Sequence, residues 1–187
     1  IAEEVQKEAE KLGATIQAFE GITVGEKDFN GVINQIVSKK PDAVYFGGLY
    51  TEAGIIVKQM REKGITVPFV GADALESSGL VDIAGEAVIN TYYTSVAGEV
   101  SSTEEGKEFV KRYEEKYAGK KAEAFSVYGY DTMGVILAAI EKTIEANGGE
   151  KLSREQVAEA IRATQDFQGA LASVSLDDKG DNSKAQI

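Results

Sequence analysis

Histidine, cysteine and tryptophan are all absent from this sequence. Without cysteine there are no disulfides, no thiol nucleophile and no zinc–thiolate site. Without histidine, a Ser-His-Asp triad, a Cys-His pair and a His-ligated metal are excluded within the chain. No apolar run approaches the roughly 20 residues of a membrane span, so direct membrane insertion is not expected. No signal-peptide pattern is visible. Basic side chains are outnumbered: 20 Lys and Arg against 31 Asp and Glu give a formal net charge of −11. Nucleic acid and anionic membrane both reward clustered Lys and Arg, so neither is expected as a partner. The acidic excess serves solubility.

What is present is ordinary for a globular chain. Hydrophobic residues make up 43% of the 187 positions, enough for a core in one domain or two small ones. The chain starts at Ile1 without a methionine, inside a helical pattern, and reads as a piece of something longer. The stretch 41–73 organises the rest. An apolar strand, Ala43-Val44-Tyr45-Phe46, stops at Gly47-Gly48. A helix follows almost at once, and a second strand, Val67-Pro68-Phe69-Val70, stops at Gly71 beside Asp73.

The hydrophobic pattern predicts a helix over 1–12 closed by Gly13 and a strand over 15–19. Asp28 is expected to cap a helix whose buried stripe is Phe29, Val32, Ile33, Ile36 and Val37. Residues 43–46 read as a strand covered on both faces. Thr51 is expected to cap the next helix, and Ser77 and Ser78 to open a short one. Strands follow at 67–70 and 88–94. Strand and helix alternate with a period of roughly 25 residues, the βαβ signature of a doubly wound, mainly parallel α/β sheet. The first helix, however, has no strand before it. After Thr94 the rhythm changes: a loose connector over 97–101, a capping box at Ser102-Thr103-Glu104-Glu105 and a long helix over 124–146. A second capping box follows at Ser153-Arg154-Glu155-Gln156, then a β-like tail from Phe167. A hinge or domain crossing is placed at 94–98.

In an open parallel sheet ligands collect outside the C-terminal ends of the strands. Tyr50, Asp73 and the helix start near Thr51 are therefore expected to face one crevice. Gly47-Gly48 with Gly54 matches neither the dinucleotide fingerprint nor a Walker loop, so no cofactor is expected. The glycine pair is either a tight turn or a place of close ligand approach. Asp73 is either a partner for a ligand ammonium or a helix cap or surface acid. Phe125, Tyr128 and Tyr130 are either packing groups or ligand walls. The run from Asp177 to Ser183 fails the EF-hand pattern and reads as a hairpin turn. Pairing of Asp73 with Glu52 or Glu76 for acid–base chemistry has no support in spacing.

Several motifs together carry a resemblance. Lys11-Leu12-Gly13, Glu20-Gly21-Ile22, Lys27-Asp28-Phe29, Pro41-Asp42-Ala43-Val44-Tyr45-Phe46-Gly47-Gly48, Glu52-Ala53-Gly54, Pro68-Phe69-Val70-Gly71 and Ile83-Ala84-Gly85-Glu86-Ala87 stand in this order. With Asp177-Asp178-Lys179-Gly180-Asp181, they resemble the Leu/Ile/Val-binding family of type I periplasmic binding proteins, which serve bacterial ABC transporters. The resemblance implies two α/β lobes that close on an amino acid, of which this chain is the C-terminal part. Residues 1–96 would be the second ligand-binding lobe without its leading strand. Residues 97–187 would be the hinge and the elements returning toward the first lobe, whose N-terminal half is missing. Asp73 matches the family's acidic residue that receives the ligand ammonium, and Phe125 an aromatic of the side-chain pocket. Leu49 stands where the family often has a tyrosine, with Tyr50 adjacent. Thr51 replaces a common proline, and Ala172 a frequent glycine. Gly48 and Ala74, neighbours of these positions, complete the candidate ligand-binding set.

The expected function is binding of a small aliphatic amino acid, without catalysis, and delivery to the membrane permease of an ABC transporter. The expected location is periplasmic or extracellular, with a lipid anchor on the parent protein in a Gram-positive cell. A ligand-sensing or regulatory domain on the same scaffold is the alternative, and a flavodoxin-like enzyme domain a third.

Overall fold

The computed structural model describes residues 1–95 and 100–185. The chain divides into two compact units, Ile1–Ser95 and Val96–Ile187. Residues 96–99, on which part of the expected hinge and connector falls, lie outside the described residues.

The first unit begins with helix α1, Ala2–Lys11. It ends as the sequence predicts: Gly13 takes a positive φ of 89°, its amide donates to the Glu10 carbonyl, and that of Ala14 to Ala9. These two bonds close the last turn as a Schellman motif. The predicted strand over 15–19 does not form; Ile16 is half-buried, and Phe19 is 51% exposed. β-branched residues favour a strand only where a neighbour supplies the ladder, and here none is paired to them.

Helix α2, Asn30–Lys39, follows. Phe29 rather than Asp28 is its N-cap residue, although the Asp28 carboxylate accepts from the Asn30 amide. Of the predicted stripe, Phe29 and Ile33 are buried and Val37 is 44% exposed. Strand β1, Val44–Phe46, helix α3, Tyr50–Glu62, strand β2, Phe69–Gly71, helix α4, Ser78–Ala84, and strand β3, Thr91–Tyr93, then alternate. The strands are parallel in the order β1-β2-β3, with Val44 opposite Phe69 and Phe69 opposite Thr91. β3 is shorter than predicted because residues Gly85–Val88 form a 3-10 turn.

One face of this sheet builds the core. Phe69 is fully buried with Phe29, Ile33, Ala53, Ile56, Val57, Met60, Leu75 and Leu80, and Val44 and Phe46 pack against them. The other face carries Tyr45, Val70 and Tyr92, by alternation along the strands. Tyr45 and Val70 are half-buried and Tyr92 is exposed, so β1 is not covered on both sides as its apolar run suggests. Gln59 ties α3 to α2: its carbonyl accepts from the Phe29 amide and its amide donates to the Lys27 carbonyl. At the N-terminal ends of the strands, the Arg61 guanidinium donates to the carbonyls of Ile65, Val67, Ile89 and Asn90.

The second unit contains helices α5, Glu104–Lys116, α6, Ala124–Ala146, and α7, Arg154–Arg162. They are followed by a short antiparallel pair, β4, Phe167–Gln168, with β5, Ser173–Val174. Thr103 caps α5 by accepting from the Gly106 amide, and its hydroxyl donates to the Ala170 carbonyl. The predicted box at Ser153 and Gln156 forms in both directions. Asp177 closes the predicted turn by accepting from the amides of Lys179 and Asp181. The core is small: Phe109, Val127 and Ala170, with the Tyr130 ring 5.0 Å from that of Phe109.

A candidate ligand site at the ends of two parallel strands

Phe46 stands opposite Gly71 in the β1–β2 ladder. Two residues beyond this pair, Gly48 and Asp73 leave the sheet side by side. Both chains turn sharply here, and glycine allows it. A Cβ on Gly48 would lie 2.5 Å from the Phe46 ring, and one on Gly71 2.4 Å from the buried Leu75 side chain. Leu49 then extends the backbone (φ −91°, ψ 158°) as the N-cap residue of α3, without a side-chain hydrogen bond. Thr51 is therefore inside the helix, not its cap. The first-turn amides of α3 lack a capping side chain, and the positive end of its dipole lies at the exit of β1. Leu49 is 53% exposed at this point.

Asp73 opens the 3-10 turn Asp73–Leu75 and is half-buried, as is Ala74. Among the described residues its carboxylate has no hydrogen-bond or ion-pair partner. Its charge is felt by Tyr45, whose phenol is pushed above its ordinary pKa, first by burial and then by Asp73. Tyr45 is absent from the sequence-predicted set. The signal that could have found it is alternation: it is the one side chain of β1 on the face opposite Val44 and Phe46. Tyr50, by contrast, spends its ring on packing. A Cβ on Gly79 of α4 would meet that ring at 2.5 Å, and Tyr50 lies against the buried core.

The two acids weighed as partners of Asp73 are engaged elsewhere. Glu52 is buried, accepts from the Gly25 amide at 2.9 Å and from the Thr51 hydroxyl. These bonds, Thr51 first, hold its carboxyl below the ordinary glutamate range. Glu76 accepts from the Ser95 hydroxyl at 2.6 Å. Both acids thus act as struts. Gly48 and Leu49 follow the C-terminal end of β1, and Asp73 and Ala74 that of β2, at the same edge of the sheet. Phe125 belongs to the second unit, where it is 53% exposed in the first turn of α6 with the Tyr128 ring 6.5 Å away. Among the described residues no group of three or more Asp and Glu is placed to hold a metal. No helix among them is long and apolar enough to cross a membrane.

In a parallel βα sheet the region beyond the C-terminal ends of the strands, where Asp73 stands, is where ligands collect. The comparisons with known proteins give the family. The periplasmic binding protein family model matches residues 1–186, and the chain belongs to this family, one of solute receptors and not of enzymes. It is 32% identical over 181 residues to the Leu/Ile/Val-binding protein homolog 1 of Brucella suis, covering 97% of this chain and 46% of that protein. It is 31% identical to the leucine-, isoleucine-, valine-, threonine- and alanine-binding protein of Pseudomonas aeruginosa, with the same coverage. Among solved structures, the leucine binding protein LivK of Thermotoga maritima superposes with a TM-score of 0.84 at 32% identity. That match covers 98% of this chain and 50% of the other. The isoleucine complex of LivJ from Streptococcus pneumoniae gives a TM-score of 0.74 at 26% identity, covering 87% and 45%. The fold is that of a type I periplasmic binding protein, and the chain spans about half the length of these relatives.

Proposed function

We propose that this chain is the C-terminal part of a solute-binding protein that takes up a small aliphatic amino acid between two lobes and delivers it to the membrane permease of an ABC transporter. The observation that carries the reading is the Asp73 carboxylate, half-buried beyond the end of β2 and, among the described residues, without a hydrogen-bond or ion-pair partner. A ligand ammonium placed there gains a charge-assisted hydrogen bond, stronger than a neutral one. Gly48 lets the ligand approach the backbone, while Leu49 and Ala74 offer apolar contact. Tyr50 acts through packing, as the support on which the Leu49 turn rests. Phe125, exposed in the first turn of α6, is by the family resemblance a candidate aromatic contact for the ligand's side chain. The names of the Brucella and Pseudomonas relatives support an aliphatic side chain on the ligand. The family supports a periplasmic or extracellular location, with a lipid anchor in a Gram-positive host.

The test is a titration of L-leucine into the isotope-labelled chain, followed by amide NMR. The amides of Gly48, Leu49, Asp73 and Ala74 are expected to shift together. In the full-length protein, Asp73→Ala is expected to weaken leucine binding more than about tenfold by calorimetry, on the order of 1.4 kcal/mol or more. Unchanged affinity in that variant overturns the assignment of Asp73.

A further inference from the structure

Asparagine is followed by glycine at two places, Asn30-Gly31 and Asn147-Gly148. Glycine has no side chain to shield its amide nitrogen. In either pair that nitrogen can attack the asparagine side-chain carbonyl and close a five-membered imide. The dipeptide is the same in both, and the fold sets them apart.

Asn30 is the first residue of α2. Its backbone amide and its side-chain amide both donate to the Asp28 carboxylate, at 3.0 Å and 2.6 Å. A negative charge at that distance opposes the anion that the attack creates. Ring closure also requires the Asn30 backbone to leave its helical conformation. Asn30 lies between Phe29 and Ile33, both buried in the core. Rotation at Asn30 moves one of them relative to the other and costs apolar burial.

Asn147 follows the last residue of α6, with φ −93° and ψ 12°. Gly148 and Gly149 are exposed, and a Cβ on either would meet nothing within 4 Å. The Gly148 amide holds the Glu145 carbonyl only at 3.4 Å, and the Gly149 amide donates to the Ile144 carbonyl at 3.0 Å. Rotation at Asn147 gives up these bonds and no core contact. The Asn147 side-chain oxygen accepts from Nε2 of Gln156 at 3.4 Å, a donor placed where negative charge develops. The α6 dipole works against an anion at this end, a smaller penalty than unpacking Phe29 or Ile33.

We propose that Asn147 is a site of spontaneous deamidation and that the fold protects Asn30 from the same reaction. The Gly148 nitrogen bonds to Cγ of Asn147, the Cγ–Nδ2 bond breaks, and ammonia leaves with the proton that the Gly148 amide gave up. A water molecule then opens the imide. Attack at Cγ gives aspartate. Attack at the backbone carbonyl gives isoaspartate, in which the main chain runs through the side-chain methylene. No oxidant or reductant is consumed. Either product places a carboxylate at the negative end of the α6 dipole. Isoaspartate also adds a main-chain atom ahead of Gly149, which breaks the bond that closes α6 on Ile144. The inference stands apart from the ligand reading: loss of leucine binding leaves it intact.

The test is incubation of the 187-residue chain in mildly alkaline buffer, followed by trypsin and mass spectrometry. Cleavage after Lys and Arg puts Asn147 on the peptide 143–151 and Asn30 on the peptide 28–39. The mass gain of an amide turned carboxylate is expected on 143–151 at least about tenfold faster than on 28–39, because only Asn147 reacts without opening a core helix. Electron-transfer fragmentation should show isoaspartate at position 147. In guanidinium chloride, where both helices are unfolded, the two rates should converge to within about twofold. Three results overturn the proposal. The peptide 143–151 gains no mass in the folded chain while the denatured chain reacts. Asn30 reacts as fast as Asn147 in the folded chain. Or the tenfold difference persists in guanidinium, which makes sequence and not structure its cause.

Discussion

Asp73 and Glu52 show how residue type alone leaves a role undecided. Both are acids close to the start of a helix in the sequence, and both are adjacent to glycine-containing turns. The fold gives one to the solvent-facing strand edge and the other to the interior. Glu52 holds the Gly25 loop against α3 through two hydrogen bonds to its charged form, and its carboxyl pKa is lowered by them. A folded-state pKa below the unfolded value contributes stability that is present above the unfolded pKa and lost as pH falls through the folded one. The expected outcome is that Glu52→Gln costs about 1 kcal/mol at pH 7, the difference between charged and neutral hydrogen bonds. That cost should shrink below about pH 4.5, where the wild-type carboxyl protonates in the unfolded chain. Urea midpoints read by circular dichroism from pH 7 to pH 3 check it, and a pH-independent difference would contradict it.

Elements were legible where they carry their own signals. α1 carries its periodicity and Gly13 after its end, α6 its length, and α7 the Ser153 box. Those signals are local and survive in any context. The caps of α2 and α3 were displaced by one or two residues, because an Asp or Thr near a helix start also bonds to its neighbours' groups. The β4–β5 pair depends on an interaction no pattern reveals. Asp131, buried on α6, accepts from the amides of Ala170 at 2.7 Å and Leu171 at 3.0 Å. A Cβ on Gly169 would lie 2.4 Å from the same carboxylate, so the loop is shaped around it. Asp131→Ala leaves the buried Ala170 amide and the part-buried Leu171 amide without this acceptor and is expected to cost about 2–4 kcal/mol. Asp131→Asn, which keeps one acceptor, should fall between the two. Chemical denaturation followed by tyrosine fluorescence, free of tryptophan background, measures both.

For the whole chain, the two units differ in how much apolar surface they bury internally. Among the described residues, the first has a cluster of nine buried residues that includes Phe69; the second has a cluster of three that includes Phe109. Burial of a large side chain is worth on the order of 1.5–3 kcal/mol, so the first unit is expected to outlast the second. In hydrogen exchange along a urea gradient, amides of α5 and α6 should lose protection at lower urea than those of α3 and β2. A single coincident transition would contradict this.

Composition settled what the protein lacks. Without histidine and cysteine, the residues of this chain cannot by themselves assemble a Ser-His-Asp triad, a Cys-His pair or a thiolate site, because no arrangement supplies an absent functional group. Periodicity settled the parallel βα architecture, since a face that must be buried repeats with the geometry of its element. Tertiary structure alone decided that residues 15–19 stay unpaired, that Tyr50 packs on Gly79, and that Tyr45 feels the Asp73 charge. Strand pairing and electrostatic proximity join residues far apart in the chain, and local sequence cannot encode a neighbour that only folding brings near.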